Sequence, residues 1–289
     1  MKAPFSTKSE IEAYLSSQGI RAQKKFGQNF LVDQNIVNFI VESGAKHLTE
    51  KNSEIAEIGI GLGSLTYPLL SLKKKTFLFE IDNAYVHLAK ERILNTFSNV
   101  TLFEGDALEN LHRIQTNPVF IFGNLPYHLT SEILIFIVSN FENWIGGIFM
   151  VQKEFADRLT SEISSISVFL NGLTTTKHLK VVHKNCFYPI PKIHSSLIQI
   201  IPIQPKERLI QTKDEILLWS RLLRAIFWGK RKQIQVSLRE SPFSQDSDFQ
   251  LAVQSALEKS GINPKSRPEE LNQEQFLTLG QHLLDDLSK

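Results

Sequence analysis

The sequence predicts an α/β protein: an open, mostly parallel sheet followed by a helical segment. Three observations carry this. An apolar run, Ser53 to Ile58, passes through Gly59-Ile60-Gly61-Leu62-Gly63-Ser64 into a helical stretch, Leu65 to Leu70. That strand–glycine loop–helix order is the context of a nucleotide-type site. Further apolar runs end at polar residues: Lys75 to Phe79 at Glu80, Val100 to Phe103 at Glu104-Gly105-Asp106, and Val119 to Phe122 at Gly123-Asn124. Open α/β sheets place their chemistry at such strand ends. Beyond Pro202 and Pro205 the apolar pattern becomes helical, over Glu215–Trp228, Asp248–Lys259 and Gln273–Leu287. The prolines divide an expected domain 1–203, with a basic N-terminal arm, from an expected helical domain 206–289.

The chain has 289 residues, 42% hydrophobic and 21% charged, the composition of a soluble globular protein. Its net charge of +2 does not announce a polyanionic partner, so the distribution of charge matters more. The single cysteine, Cys186, excludes an intrachain disulfide and suits a reducing compartment. The first residues, MKAPFSTKSEIEAYL, lack the apolar core of a signal peptide. The longest aliphatic runs, such as Ile133 to Val138, are too short to span a bilayer. The expectation is a cytoplasmic protein with no membrane attachment.

In chain order, Glu10 to Ser17 reads as a short helix. The stretch Gln23 to Leu31 then packs Lys24, Lys25, Phe26, Phe30 and three amides into nine residues. It suits either a solvated arm or a segment that grips a phosphate backbone and folds over a ligand. Asp33 to Ser43 has helical apolar spacing, with Asp33 as N-cap. The loop Gly59 to Ser64 is not the dinucleotide GxGxxG, yet its glycines let a ligand approach where a Cβ would clash. Glu80, at the next strand end, is placed to accept both ribose hydroxyls of an adenosine. Asp106, one strand further, is placed to accept from an adenine amine. Each acid alone also suits a surface strand end.

Gly123-Asn124-Leu125-Pro126-Tyr127 leaves the fourth strand end. Asn124 carries an amide oxygen that accepts and a nitrogen that donates. Pro126 stiffens the loop and has no N–H of its own. Tyr127 adds a flat π face with a polar tip. The set suits a flat heterocycle bearing an exocyclic amine; a plain proline turn is the alternative. Trp144 to Val151 reads as a fifth strand, and Lys180–Phe187 with Leu197–Ile203 as a closing pair. The stiff loop Phe187-Tyr188-Pro189-Ile190-Pro191-Lys192 either presents Phe187 over the site or joins the pair with Phe187 in the core. Six basic residues, Arg221, Arg224, Lys230, Arg231, Lys232 and Arg239, fall in one stretch with no acid between them. They suit a nucleic-acid backbone or a solvated helix face. The spacing of His178, His183, Cys186 and His194 matches no familiar zinc pattern, so no metal is expected.

Taken together, KKFGQNFL (24–31), EIGIGLGSLT (57–66), FEID (79–82), EGDAL (104–108), GNLPYHLTS (123–131), FYPIPKIHSS (187–196) and FWGKRK (227–232) resemble the small-subunit ribosomal RNA adenine dimethyltransferase family, in the family's order. The resemblance implies a class I S-adenosylmethionine-dependent fold: a seven-stranded, mostly parallel, doubly wound sheet with a small helical C-terminal domain. It implies dimethylation at N6 of two adjacent adenosines near the 3′ end of 16S rRNA, with a role in small-subunit biogenesis. Asn29, Leu31, Gly59, Gly61, Glu80, Asp106 and Asn124 are then the cofactor contacts. Asn124, Leu125, Pro126 and Tyr127 form the catalytic rim, and Phe187 stacks on the target base. Lys24, Lys25, Arg221, Arg224, Lys230, Arg231 and Lys232 contact RNA. Four departures stand out. Ile60 replaces a usual Pro, His194 a usual Asp and Lys230 a usual Arg, and Ser164-Ser165-Ile166-Ser167-Val168 lacks a usual Tyr-Gly. Related alternatives are a 23S rRNA adenine methyltransferase of the macrolide-resistance type, which usually has Ile at the position of Leu125, and a mainly non-catalytic ribosome-assembly factor. DNA adenine methyltransferases usually carry Asp-Pro-Pro-Tyr at this loop, against Asn124-Leu125 here.

Overall fold

Strand runs buried on both faces need helices to cover them, and the chain supplies these between strands. The computed structural model describes residues 3–5, 7–17, 29–114, 117–229 and 231–287. Among them run α1 (Lys8–Ser17), β1 (Phe30–Leu31), α2 (Gln34–Ala45), β2 (Glu54–Ile58), α3 (Thr66–Leu70), β3 (Thr76–Glu80) and α4 (Asn83–Ala89). Next come β4 (Val100–Glu104), α5 (Ala107–Asn110), β5 (Val119–Asn124), α6 (Thr130–Asn140), β6 (Trp144–Gln152), α7 (Lys153–Ser161) and α8 (Ser165–Asn171). The remainder is β7 (Thr174–Val182), β8 (Phe187–Tyr188), β9 (Ser195–Pro202), α9 (Lys213–Ile226), α10 (Ile234–Glu240), α11 (Ser247–Lys259) and α12 (Gln273–Leu287).

Seven strands form one sheet in the order β4-β3-β2-β5-β6-β9-β7. Neighbours from β4 to β6 are parallel, and β9 runs antiparallel to β6. The chain steps outward from β2 through β3 to β4, then returns to place β5 on the other flank of β2. The order therefore reverses between β2 and β5, which opens a crevice at their carboxyl ends. Ile58 of β2 is in register with Gly123 of β5. Gly59 and Asn124 thus leave neighbouring strands side by side.

The core under this crevice joins Phe120 and Phe122 of β5, Ile148 and Met150 of β6, Leu69 of α3, and the apolar face of α2. Asp33 caps α2 as its sequence position predicts, its Oδ1 accepting from the backbone N–H of Asn35 at 2.9 Å and of Ile36 at 3.2 Å. Gly44 lets α2 press on β5: a Cβ there would stand 2.2 Å from a ring carbon of Phe122. Gly44→Ala is expected to cost about 1–3 kcal/mol through overpacking. Chemical denaturation measures this, and an unchanged midpoint would contradict it.

The chain forms two compact units. One comprises residues as far as 137, 141–156 and 177–201, and the other 138–140, 157–176 and the chain from 202 onward. The second unit thus includes residues 157–176, beyond the 206–289 segment expected to be separate. Trp219 on α9 accounts for this. It is 2% exposed, and its ring lies against Gly172 after α8 and Gly280 on α12. A Cβ on Gly280 would approach the indole to 2.8 Å. The departure at 164–168 builds the start of α8: the Ser164 side chain accepts from the Ser167 N–H, and Ser167 Oγ accepts from the Ser164 N–H.

The expected strand Lys180–Phe187 is displaced. β7 begins at Thr174, in a β-branched run that suits a pleated surface. It ends at Val182, because His183 Nδ1 accepts from the Asn185 N–H and starts a turn. Phe187 belongs to β8, which pairs antiparallel with β1 as a separate ribbon: Phe30 opposite Tyr188 and Leu31 opposite Phe187. The helix α10 was not legible in sequence, being short and set in the basic stretch.

Candidate active site

Gly59 and Gly61 carry the chain off β2 with φ of +76° and +51°, a region L side chains rarely adopt. Gly59 faces the rim, since a Cβ on it would lie 3.7 Å from the Asn124 carbonyl. Gly61 lies beneath Phe30, whose ring would be 3.3 Å from an added Cβ. The β1–β8 ribbon thus lays Asn29, Phe30 and Leu31 over the glycine loop.

Glu80 holds that loop in place. Its Oε2 accepts from the Gly61 N–H at 2.9 Å, and its Oε1 from the N–H groups of Ile81 at 2.9 Å and Asp82 at 2.8 Å. A carboxylate has about four acceptor positions, so one remains, on Oε2. Burial raises the Glu80 pKa, and the backbone donors oppose the rise.

Glu57 was not singled out from sequence, although it opens the EIGIGLGS segment. It sits on β2 between Leu78 and Phe122, 2% exposed. Burial pushes its pKa up to about 8; Thr66 pulls it down and Glu80 adds to the rise. Thr66 forms no hydrogen bond of good geometry with it: Glu57 Oε2 and Thr66 Oγ1 both lack a partner.

Asn124 ends β5. Its Nδ2 donates to the Asn29 carbonyl at 3.1 Å. A carbonyl only accepts, so this bond fixes which end of the amide is nitrogen and turns Oδ1 the other way. Leu125 donates its N–H to the Met150 carbonyl at 3.1 Å, and its side chain is buried. The Pro126 carbonyl turns inward and accepts from the Leu129 N–H and the Thr130 hydroxyl. The Tyr127 hydroxyl lies 2.9 Å from Ser195 Oγ, which sets the ring's orientation, and burial raises its pKa. Ser195 is a second residue the motif contained without revealing its part.

One cavity of about 300 Å³ collects these groups. Of the expected cofactor contacts, Asn29, Leu31, Gly59, Gly61, Glu80 and Asn124 line it, as do Leu125, Pro126 and Tyr127. Two expected residues do not. Asp106 turns back to cap α5, accepting from the Leu108 N–H at 2.9 Å. Phe187 is 2% exposed and packs in the core with Leu31, Ile36 and Leu197, because its pairing with Leu31 seats the ring inward. The cavity carries two carboxylates, Glu57 and Glu80, and no Lys or Arg among its described lining residues. A backbone cradle with that charge fits a nucleoside whose tail is cationic, as S-adenosylmethionine is.

The expected RNA contacts divide. Lys24, Lys25 and Lys230 lie outside the described residues. Arg221 pairs with Asp246 at 2.6 Å and lies over the rings of Phe243 and Phe249, so it braces helices of its unit. Lys232 pairs with Glu240. Both acids stand just past the acid-free stretch, which concealed them. Arg224 and Arg231 are exposed, and so is Arg239. Trp228 among them is 50% exposed.

A sheet that reverses its order beside a glycine cradle, facing Asn-Leu-Pro-Tyr across that reversal, defines a class I methyltransferase. The family model described as ribosomal RNA adenine dimethylase matches residues 19–284. The ribosomal RNA small subunit methyltransferase A of Staphylococcus epidermidis is 32% identical over 287 residues, covering 95% of this chain and 94% of that protein. That of Bacillus thuringiensis is 32% identical over 293 residues, covering 97% and 96%. The chain belongs to the ribosomal RNA adenine dimethylase family. Among solved structures, a dimethyladenosine transferase from Plasmodium falciparum superposes with TM-score 0.67 at 23% identity, over 86% of this chain and 94% of that one. The 23S rRNA methyltransferase ErmE superposes with TM-score 0.61 at 23% identity, over 88% and 99%. At that identity both similarities speak for the fold. No helix among the described residues is long and apolar enough to cross a membrane.

Proposed function

We propose that this enzyme transfers methyl groups from S-adenosylmethionine to N6 of two adjacent adenosines in a loop near the 3′ end of 16S rRNA, in the cytoplasm, during small-subunit maturation. One observation carries the reading: the β2–β5 register sets the Asn124 rim beside the glycine cradle, in one cavity. Asn29, Leu31, Gly59, Gly61 and Glu80 would hold the cofactor, with Glu57 facing its positive charge. When bound, S-adenosylmethionine supplies the methyl group on a cationic sulfur.

The adenine N6 lone pair is spread into the ring, which makes it a weak nucleophile. Asn124 Oδ1 and the Leu125 carbonyl accept from the two N6–H groups and localise that pair. The tether from Asn124 Nδ2 to the Asn29 carbonyl keeps Oδ1 aimed, so little reorganisation is left for the moment of reaction. Tyr127, steadied by Ser195, provides the stacking face, worth roughly 1–3 kcal/mol per base. A base must leave its stack to reach the cavity, which favours an adenosine in an RNA loop. The helical domain, with Arg224 and Arg231 exposed, contributes backbone contacts.

Labelled cofactor incubated with purified small or large ribosomal subunits lacking the modification tests this. The expected product is N6,N6-dimethyladenosine in 16S rRNA. Label confined to 23S rRNA would overturn the choice of substrate.

A further inference from the structure

Between Glu162 and Glu207 the chain has no acidic residue, yet it carries Lys177, Lys180, Lys184 and Lys192 with His178, His183 and His194. The three lysines Lys177, Lys180 and Lys192 are exposed and Lys184 is half-buried. Among the described residues none of the four pairs with a carboxylate, unlike Arg221 and Lys232. Lys180 lies over the Phe39 ring at 5.0 Å, and the His183 and His194 rings are 4.5 Å apart. His194 Nδ1 accepts from the Lys184 N–H, which folds the far end of the loop onto its start. Among the described residues two carboxylates reach this region: Asp33, whose Oδ2 accepts from Cys186 Sγ while its Oδ1 caps α2, and Glu12, which lies against the Tyr188 hydroxyl and is itself paired with Lys8. Both sides of the loop are tied to the cavity: β8 pairs with Phe30 and Leu31, and Ser195 holds Tyr127.

We propose that Lys177, Lys180, Lys184 and Lys192 form a phosphate-binding edge of the catalytic unit, which guides the RNA strand bearing the target adenosine to the cavity mouth. The inference rests on the methyltransferase reading above. Lysines on the outermost strand also guard a sheet against edge-to-edge pairing. That role accounts for Lys177 and Lys180 on β7, but not for Lys184 and Lys192, which lie beyond the strand. Four unpaired ammonium groups, spread over an edge and its loop with no acid among them, match a chain of phosphates.

The test is the full-length quadruple variant K177Q/K180Q/K184Q/K192Q. Its binding to 16S rRNA and to a poly(A) oligonucleotide is titrated from low to high KCl. Each phosphate contact contributes about 0.7–0.9 to the slope of log affinity against log salt, so the slope is expected to fall by about 3. Calorimetry is expected to show S-adenosylmethionine bound as tightly as by the unmodified protein, which reports intact folding. An unchanged slope overturns the proposal, including the case where the variant only self-associates in light scattering. If the unmodified protein transfers no methyl group to small subunits while the slope still falls, the methyltransferase reading fails and the phosphate-binding edge stands.

Discussion

Asn124→Ala is expected to lower the single-turnover rate of methyl transfer by about 10²–10³-fold, the loss usual when one preorganised hydrogen-bonding group is removed from a transition state. RNA affinity is expected to stay within about threefold, because phosphate contacts dominate it. The structure gives the amide two separate tasks. Its nitrogen is committed to the Asn29 carbonyl, and its oxygen, on a residue that lines the cavity, is the acceptor the proposed chemistry uses. Alanine removes the acceptor and also frees the segment laid over the glycine loop, so cofactor affinity falls modestly as well. Rapid-quench measurement at saturating RNA and cofactor separates these effects. Equal single-turnover rates for the variant and the unmodified protein would remove Asn124 from the chemistry.

Glu57→Gln is expected to weaken S-adenosylmethionine binding by about 10–100-fold at pH 8, the range of a lost hydrogen bond to a charged partner. Burial raises this carboxyl from its ordinary value to about 8. In the empty folded protein it therefore keeps its proton over a range where the unfolded chain has lost it. Its contribution to stability is complete below the ordinary carboxylate pKa and is lost as pH rises through about 8. Melting temperature in the absence of ligand should accordingly fall toward pH 8, and less so in Glu57→Gln. A cationic ligand favours the ionised form, so binding near pH 7 should release a proton. Calorimetry in buffers of different ionisation enthalpy reads that release. S-adenosylhomocysteine, which shares the ammonium but lacks the sulfonium, shows which cation Glu57 senses. Equal affinities in the two proteins, with no proton released, would contradict this role.

Much of the sheet was legible because its strands are continuous apolar runs with turn residues at each end, such as Val119–Phe122 before Gly123. The rim was legible because Asn124, Pro126 and Tyr127 are adjacent in the chain. What escaped depends on partners distant in sequence. Phe187 had two readings, over the site or in the core. Pairing with Leu31, far away in the chain, decides for the core. Asp106 has a second task that its sequence position did not announce, the capping of α5 by Oδ1. The acid-free stretch from Arg221 to Arg239 suggested six unpaired cations, but Asp246 and Glu240 neutralise two of them from outside it. Glu57 was hidden because a carboxylate inside a strand is ordinarily an exposed one. Only the sheet's neighbours show that it is buried.

The central claim is geometric: the amide at the end of β5 and the cradle after β2 serve one reaction centre. A structure of the enzyme with S-adenosylhomocysteine and an adenosine-bearing RNA loop tests it most directly. The account expects an unstacked adenine whose N6 lies about 2.7–3.2 Å from Asn124 Oδ1, hydrogen-bond distance, with the ligand's sulfur on the opposite side of N6 from the RNA. An adenine seated away from Asn124, or a cofactor bound outside the cavity behind Gly59 and Gly61, would contradict it.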